Sequence, residues 1–335
     1  MKTVAELRDY AQSIGPAAPL DTEYVGVPEF WQEEYKRYDV RTAELVQEFD
    51  HFHDLRYGSD PRHIIDVYLP KKKLENAPVF VFFHGGALVD GHPRQYGFLA
   101  RSFLEKGAIF VCPGYRLMPA TLAAERAALE ADGTVFVHEL GEDAPDAFTR
   151  TRQAGADAAV TAATDARAAI AWIHHNIAAF GGRPDRLVVG GHSAGAMLTV
   201  ATGCGAGWQT GLGIPEDVIT GIVPIGGRYG LWQGNAIISG RDAADPPHEW
   251  QLGRAPSAAV VFGEEEYDGD GKDDPKRFGD CARIGRTLIA ALREKGADVT
   301  EVALPPCGHW DTVQSIGIGT SAAFAAVSEL MGIAK

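Results

Sequence analysis

Strand-like, largely apolar runs punctuate the chain at Pro78–Phe83, Ala108–Cys112, Leu187–Val189, Val218–Ile225, Ser257–Phe262 and Val299–Leu304. The run Pro78–Phe83 is uninterrupted, as in a strand buried on both faces. Helix-periodic stretches fall between them: Tyr96–Lys106 ending at Gly107, a segment from an N-cap at Thr164 or Asp165 to Phe180, Ala194–Thr202, and the amphipathic Cys281–Gly296. Strand alternating with helix predicts a parallel, doubly wound α/β sheet. Ahead of it, Phe49–Tyr57 and Ile64–Leu69 alternate around the turn Gly58-Ser59-Asp60-Pro61 and read as an antiparallel hairpin.

Two regions break the rhythm. Residues 1–48 hold two helical stretches, Val4–Ile14 and Phe30–Gln47, the second mixing Phe30, Trp31, Tyr35 and Tyr38 with charges. That mixture suits a cap over an apolar site and equally an amphipathic helix docked on the core; the expected division is a cap segment at 1–48 and an α/β domain at 49–335. Residues 120 to about 158, rich in alanine, glutamate and glycine, read as an insertion near the mouth of the site.

Length and composition leave this picture intact. At 335 residues, with 45% hydrophobic and 23% charged, the chain suits one large domain with insertions. A net charge of −14 repels nucleic acid and anionic membrane surfaces, and points to a neutral or cationic small-molecule substrate. The charged N-terminus and the lack of a spanning apolar run make the cytoplasm the default location; a homodimer is left open. Cys112, Cys204, Cys281 and Cys307 are scattered without Cys-x-x-Cys spacing and read as small buried groups rather than disulfides or metal ligands.

The chemistry concentrates at strand ends. Gly191-His192-Ser193-Ala194-Gly195 follows a strand and opens a helix, the setting of a nucleophile elbow, where a serine sits on a strained turn and glycines avoid a collision. Pro78–Phe83 empties into His84-Gly85-Gly86-Ala87, whose backbone N–H groups can approach a ligand closely. A serine hydroxyl is a weak nucleophile without a base, and an imidazole needs a carboxylate to orient it. His309, after the last strand, supplies the base. Glu264, Glu265, Glu266 and Asp268 follow another strand; Glu266 is favoured as the acid, with Asp268 the alternative. Cys307, two residues before His309, is a poorer nucleophile candidate than Ser193. His51 and His53 share a strand face but have no third ligand nearby, and the acidic run 268–274 fails the spacing of a calcium loop, so neither metal nor cofactor is expected.

Taken together, His84-Gly85-Gly86, Tyr115-Arg116-Leu117-Met118-Pro119, Phe180-Gly181-Gly182-Arg183-Pro184-Asp185, Gly191-His192-Ser193-Ala194-Gly195 and Gly308-His309-Trp310-Asp311 resemble the esterase branch of the α/β-hydrolase fold. That branch includes hormone-sensitive-lipase-like carboxylesterases and kynurenine-formamidase-like enzymes, and the resemblance covers residues from about 60 to 330. It implies a mostly parallel twisted sheet flanked by helices, an N-terminal helical cap, and an oxyanion hole from the N–H groups of Gly86, Ala87 and Ala194, with Gly85 shaping the approach. Ala87 in place of a third glycine and His192 in place of an aspartate lean toward the formamidase-like side. The expected activity is hydrolysis of a small or aromatic carboxylic ester through an acyl-enzyme. An aryl formamidase with the same triad and a non-catalytic ligand-binding protein are the alternatives.

Overall fold

The computed structural model describes residues 2–20, 29–72, 75–119, 121, 146–227, 229, 252–264, 266–267 and 280–333. Among these the strands are β1 His51–Arg56, β2 Ile64–Tyr68, β3 Ala77–Phe83, β4 Ile109–Pro113, β5 Gly182–His192, β6 Ile219–Ile225, β7 Ser257–Gly263, β8 Glu266–Tyr267, β9 Val299–Leu304 and β10 Cys307–Gly308. The helices are α1 Val4–Ile14, α2 Glu29–Leu45, α3 Arg101–Glu105, α4 Asp146–Asn176, α5 Ala194–Gly203, α6 Trp208–Gly211, α7 Asp280–Glu294, α8 His309–Gln314 and α9 Ala322–Met331.

Eight strands form one sheet in the order β1-β2-β4-β3-β5-β6-β7-β9, while β8 and β10 make a separate parallel pair. Strands β1 and β2 form the expected hairpin, β2 runs antiparallel to β4, and every later pairing is parallel. The chain leaves β3 for β4 on one side and returns as β5 on the other. That reversal opens a crevice at the carboxyl ends of β3 and β5, where ligands bind in open α/β sheets. Pairing of Phe83 with Gly191 sets His84 beside the serine elbow.

The continuous apolar character of β3 follows from burial on both faces. Val79, Val81 and Phe83 join a core with the buried face of α4, α5 and α7, while Phe80 and Phe82 turn to a second core with α2, α3 and α9. The Phe80 ring lies flat on Phe103, 4.9 Å between centroids.

Several expectations need correction. The helix before the elbow does not start at Thr164 or Asp165; α4 begins at Asp146, so 146–158 of the supposed insertion is the first half of a helix. Alanine is the best helix former, and Ala158, Ala162, Ala163 and Ala166 carry a buried stripe through the place where a cap was expected. Thr164 Oγ1 donates to Val160 O, four residues back in the same helix. Asp165 is buried and accepts from the Arg116 backbone N–H at 2.9 Å, from the Arg116 guanidinium at 2.9 and 2.6 Å, and from His63 at 3.1 Å. It thereby ties α4 to the loop after β4. Residues 122–145 of that insertion lie outside the described residues.

Elsewhere, Pro93–Ala100 is a 3-10 helix leading into the short α3, where one α-helix was expected, and β5 starts at Gly182, earlier than the apolar run suggested. The C-terminal helix α9, with Phe324, Val327 and Met331 in the second core, had not been marked in the pattern. Helix α2 is docked: Trp31, Tyr35 and Tyr38 are buried, and all three rings pack edge-on against Trp310. It therefore reaches the segment that carries His309.

The elbow depends on backbone contact between β3 and α5. A Cβ on Gly195 would lie 2.1 Å from the Phe83 carbonyl oxygen and 2.5 Å from that of His84. Gly195→Ala is expected to destabilise the fold by at least about 2 kcal/mol through overpacking against rigid backbone. A urea titration should show the midpoint falling at unchanged slope; an unchanged midpoint would contradict the contact.

Candidate active site

Ser193, the candidate nucleophile, sits on strained backbone. Ser193 has φ 55° and ψ −116° between the last residue of β5 and the first of α5, a conformation that costs a non-glycine residue about 1–3 kcal/mol and is kept at functional turns. Its N–H donates to Ile225 O at 3.0 Å, and its carbonyl accepts from the N–H groups of Ala196 and Met197. Gly191 permits the turn, since a Cβ there would sit 2.3 Å from Gly195 O. Ala194, first residue of α5, presents its N–H where a helix has no internal acceptor for it.

The expected base and one expected acid meet. His309 Nδ1 donates to Glu266 Oε2 at 2.7 Å, with Glu266 1% and His309 2% exposed. The other carboxylate oxygen, Oε1, accepts the Gly263 N–H at 2.9 Å. The parallel pairing of β8 with β10, Glu266 opposite Cys307 and Tyr267 opposite Gly308, fixes the acid's segment beside the base. Burial pushes the Glu266 carboxyl up to about 8, opposed by hydrogen bonds from Gly263, Cys281 and Thr312. An imidazolium formed at His309 would sit against Oε2 and favour the carboxylate. The alternative acid Asp268 lies outside the described residues, as does the 268–274 acidic run.

Gly226 forms the floor between these groups: a Cβ on it would fall 2.9 Å from Glu266 Oε2 and 3.3 Å from His309 Cε1. Its φ of 51° and its N–H bond to Val261 O hold the end of β6 against Glu266 and His309, where a side chain has no room.

The loop after β3 folds back beside the elbow. Gly86, Ala87 and Leu88 all have left-handed φ values of 113°, 51° and 63°, and the Gly86 carbonyl accepts from both Val89 and Asp90. A Cβ on Gly86 would meet Asp90 O at 2.1 Å, so glycine is required there, while Ala87 tolerates a strained backbone. Gly85 abuts Ser193: a Cβ on it would lie 3.4 Å from Ser193 Cβ. His84 anchors the loop, with Nδ1 donating to Gly85 O at 2.7 Å and its carbonyl accepting from Tyr115 Oη at 2.7 Å. The His84 ring stacks on Tyr115 at 4.2 Å, and burial together with the nearby Arg62 guanidinium drives its pKa down to about 3, so it stays neutral. The Tyr115–Pro119 motif thus meets the site through Tyr115 on His84 and through the Met118 N–H, which donates to Leu88 O at 2.7 Å.

Cys307 is half-buried, its Sγ 3.4 Å from Thr312 Oγ1, and burial pushes the thiol above its ordinary value, which disfavours the thiolate a nucleophile needs. His51 and His53 pack ring to ring at 4.5 Å near the buried Asp66. One group of metal-capable side chains occurs among the described residues: ligand atoms of Glu266, Cys281 and His309 lie within 4.8 Å of one another, two of them already in the acid–base pair. Cys281, Thr312 and Gly226 escaped sequence reasoning. Only Gly226, at the end of an apolar strand, left a readable sign.

The model of the carboxylesterase family matches residues 160–203, which include the elbow. Among curated proteins, the chain is 29% identical over 146 residues to a probable isoprenylcysteine alpha-carbonyl methylesterase of Oryza sativa subsp. japonica, covering 44% of this chain and 26% of that one. It is 35% identical over 133 residues to Esterase-5A of Drosophila persimilis, covering 39% of this chain and 19% of that one. The chain thus spans about a quarter or less of the length of these relatives. Among solved structures it resembles a hyperthermophilic esterase from Pyrobaculum calidifontis, with a TM-score of 0.58 and 19% identity over all of both chains. It also resembles a putative thioesterase from Silicibacter sp. TM1040, with a TM-score of 0.58 and 18% identity over 90% of this chain and 94% of that one. The fold is the α/β-hydrolase fold.

Proposed function

We propose that this protein is a serine hydrolase that cleaves a small or aromatic carboxylic ester through an acyl-enzyme. The observation that carries the reading is the buried Glu266–His309 pair, set at the same end of the sheet as a strained serine elbow. Glu266 holds the His309 proton on Nδ1, which leaves Nε2 as the lone pair that takes the Ser193 proton. Ser193 Oγ then bonds to the ester carbonyl carbon, and the N–H groups of Gly86, Ala87 and Ala194 receive the negative oxygen. The imidazolium returns its proton to the departing alcohol, and water repeats the sequence on the acyl-serine to release the acid.

The names of the relatives, a methylesterase and an esterase, favour an ester over an amide. The formamide reading rests on Ala87 and His192, whose residue types lean that way. The docking of α2 on Trp310 supports the 1–48 segment as a wall of the pocket, and four free cysteines support a cytoplasmic setting. No helix among the described residues is long and apolar enough to cross a membrane.

Assays of aryl esters of increasing acyl length beside an N-formyl aniline are expected to give the highest kcat/KM for a short aryl ester. A higher value for the formamide would replace esterase by formamidase. Absence of turnover on every substrate would support the non-catalytic alternative.

A further inference from the structure

The second residue of the elbow motif touches all three parts of the site. His192 closes β5, is 1% exposed, and places Nε2 3.0 Å from the carbonyl oxygen of His309, a residue 117 positions away. A carbonyl oxygen carries no proton, so His192 must donate, which fixes its tautomer as Nε2–H. The two rings lie 4.3 Å apart at 40°. On its other side, Nδ1 faces the loop after β3: a Cβ on Gly85 would lie 3.0 Å from it.

We propose that His192 is a positioning residue that ties the backbone of the base to the nucleophile elbow, so that His309 and Ser193 keep their alignment through both proton transfers. The inference rests on the serine-hydrolase reading above and assigns His192 no contact with substrate. Its logic is geometric. Glu266 fixes the His309 imidazole at Nδ1, and the pairing of β10 with β8 holds the two residues before it, but neither engages the His309 carbonyl. The bond from His192 fixes the backbone of the same residue, and its donor sits one peptide before Ser193. One side chain therefore spans nucleophile and base, and a displacement near 1 Å costs a catalytic site about 100-fold.

The residue type suits the task. Burial and the neighbouring His309 hold the His192 pKa well below its ordinary value, so it stays neutral while His309 becomes charged. A permanent charge there would bias the base.

Two variants separate positioning from bulk packing. His192→Leu removes the donor, and His192→Gln offers an amide N–H near the position of Nε2; His192→Met replaces leucine if that variant does not fold. The leucine variant is expected to lose about 10- to 100-fold in kcat/KM, carried by kcat with KM within about threefold, and to slow fluorophosphonate labelling in parallel. The glutamine variant is expected to recover to within about fivefold of the parent. The low-field NMR resonance of the His309 Nδ1–H should broaden or vanish in the leucine variant and persist in the glutamine one. Wild-type kinetics in the leucine variant, no rescue by glutamine, or an unchanged resonance would each overturn the proposal. If the parent protein neither turns over esters nor takes the label, the serine-hydrolase reading fails instead, and the resonance alone then decides the role of His192.

Discussion

Replacing Ser193 by alanine is expected to lower kcat for aryl-ester hydrolysis by about 10⁴- to 10⁶-fold while the protein stays folded. The loss is large because in the proposed mechanism the hydroxyl oxygen bonds to the acyl carbon, and neither His309 nor an oxyanion site can form an acyl-enzyme without it. Thermal stability should hold within about 2 °C, since alanine inherits the same φ of 55° and the Ser193 N–H bond to Ile225 O is made by backbone. Ser193→Gly should be equally inactive but about 1 kcal/mol more stable, because glycine adopts that backbone without steric cost. A glycine variant less stable than the parent would argue that the turn stores no strain.

The second large effect is expected at Glu266. Glu266→Gln keeps the shape but removes the charge that stabilises an imidazolium at His309, and kcat should fall by about 10²- to 10⁴-fold with KM little changed. Asp268→Asn should stay within about threefold of the parent, as for a carboxylate that takes no part in the proposed reaction. Equal, small losses in both variants would remove Glu266 from the mechanism. The pH dependence follows the same pair. Its protons are shared, and activity should rise through the neutral range and level off above about pH 8, as the raised carboxyl and its histidine give up the proton that blocks catalysis. For stability the sign is opposite. A carboxyl raised from 4.5 to about 8 keeps its proton when folded but loses it when unfolded, so its contribution to stability falls as pH rises through that window. The glutamine variant should lack that decline, which chemical denaturation at pH 5 and pH 8 would measure.

The legible features were those encoded locally. The apolar runs of β3 and β5 declared strands buried on both faces, and Gly191 to Gly195 declared a tight turn because glycine is needed wherever backbone meets backbone. The parallel sheet followed from the alternation of strand and helix. Features that failed were set by partners distant in sequence. Asp165 read as a helix cap because acids favour caps, yet its side chain is taken by Arg116 and His63, and the alanine stripe carries the helix past it. The contact between Glu266 and His309 depends on the pairing of β8 with β10, two residues on each side, which no periodicity shows. The aromatic face of α2 fitted a cap and a docked helix alike until Trp310 appeared beneath it. His192 looked like a family variation in a five-residue motif, and its contact with His309 lies 117 residues downstream.

The most direct test of the central claim is to treat the purified protein with a fluorophosphonate and map the adduct by mass spectrometry. A single adduct on Ser193, absent from Ser193→Ala and prevented by saturating ester substrate, is the expected result. No adduct, or an adduct on another residue such as Cys307, would contradict the assignment of Ser193 as the nucleophile.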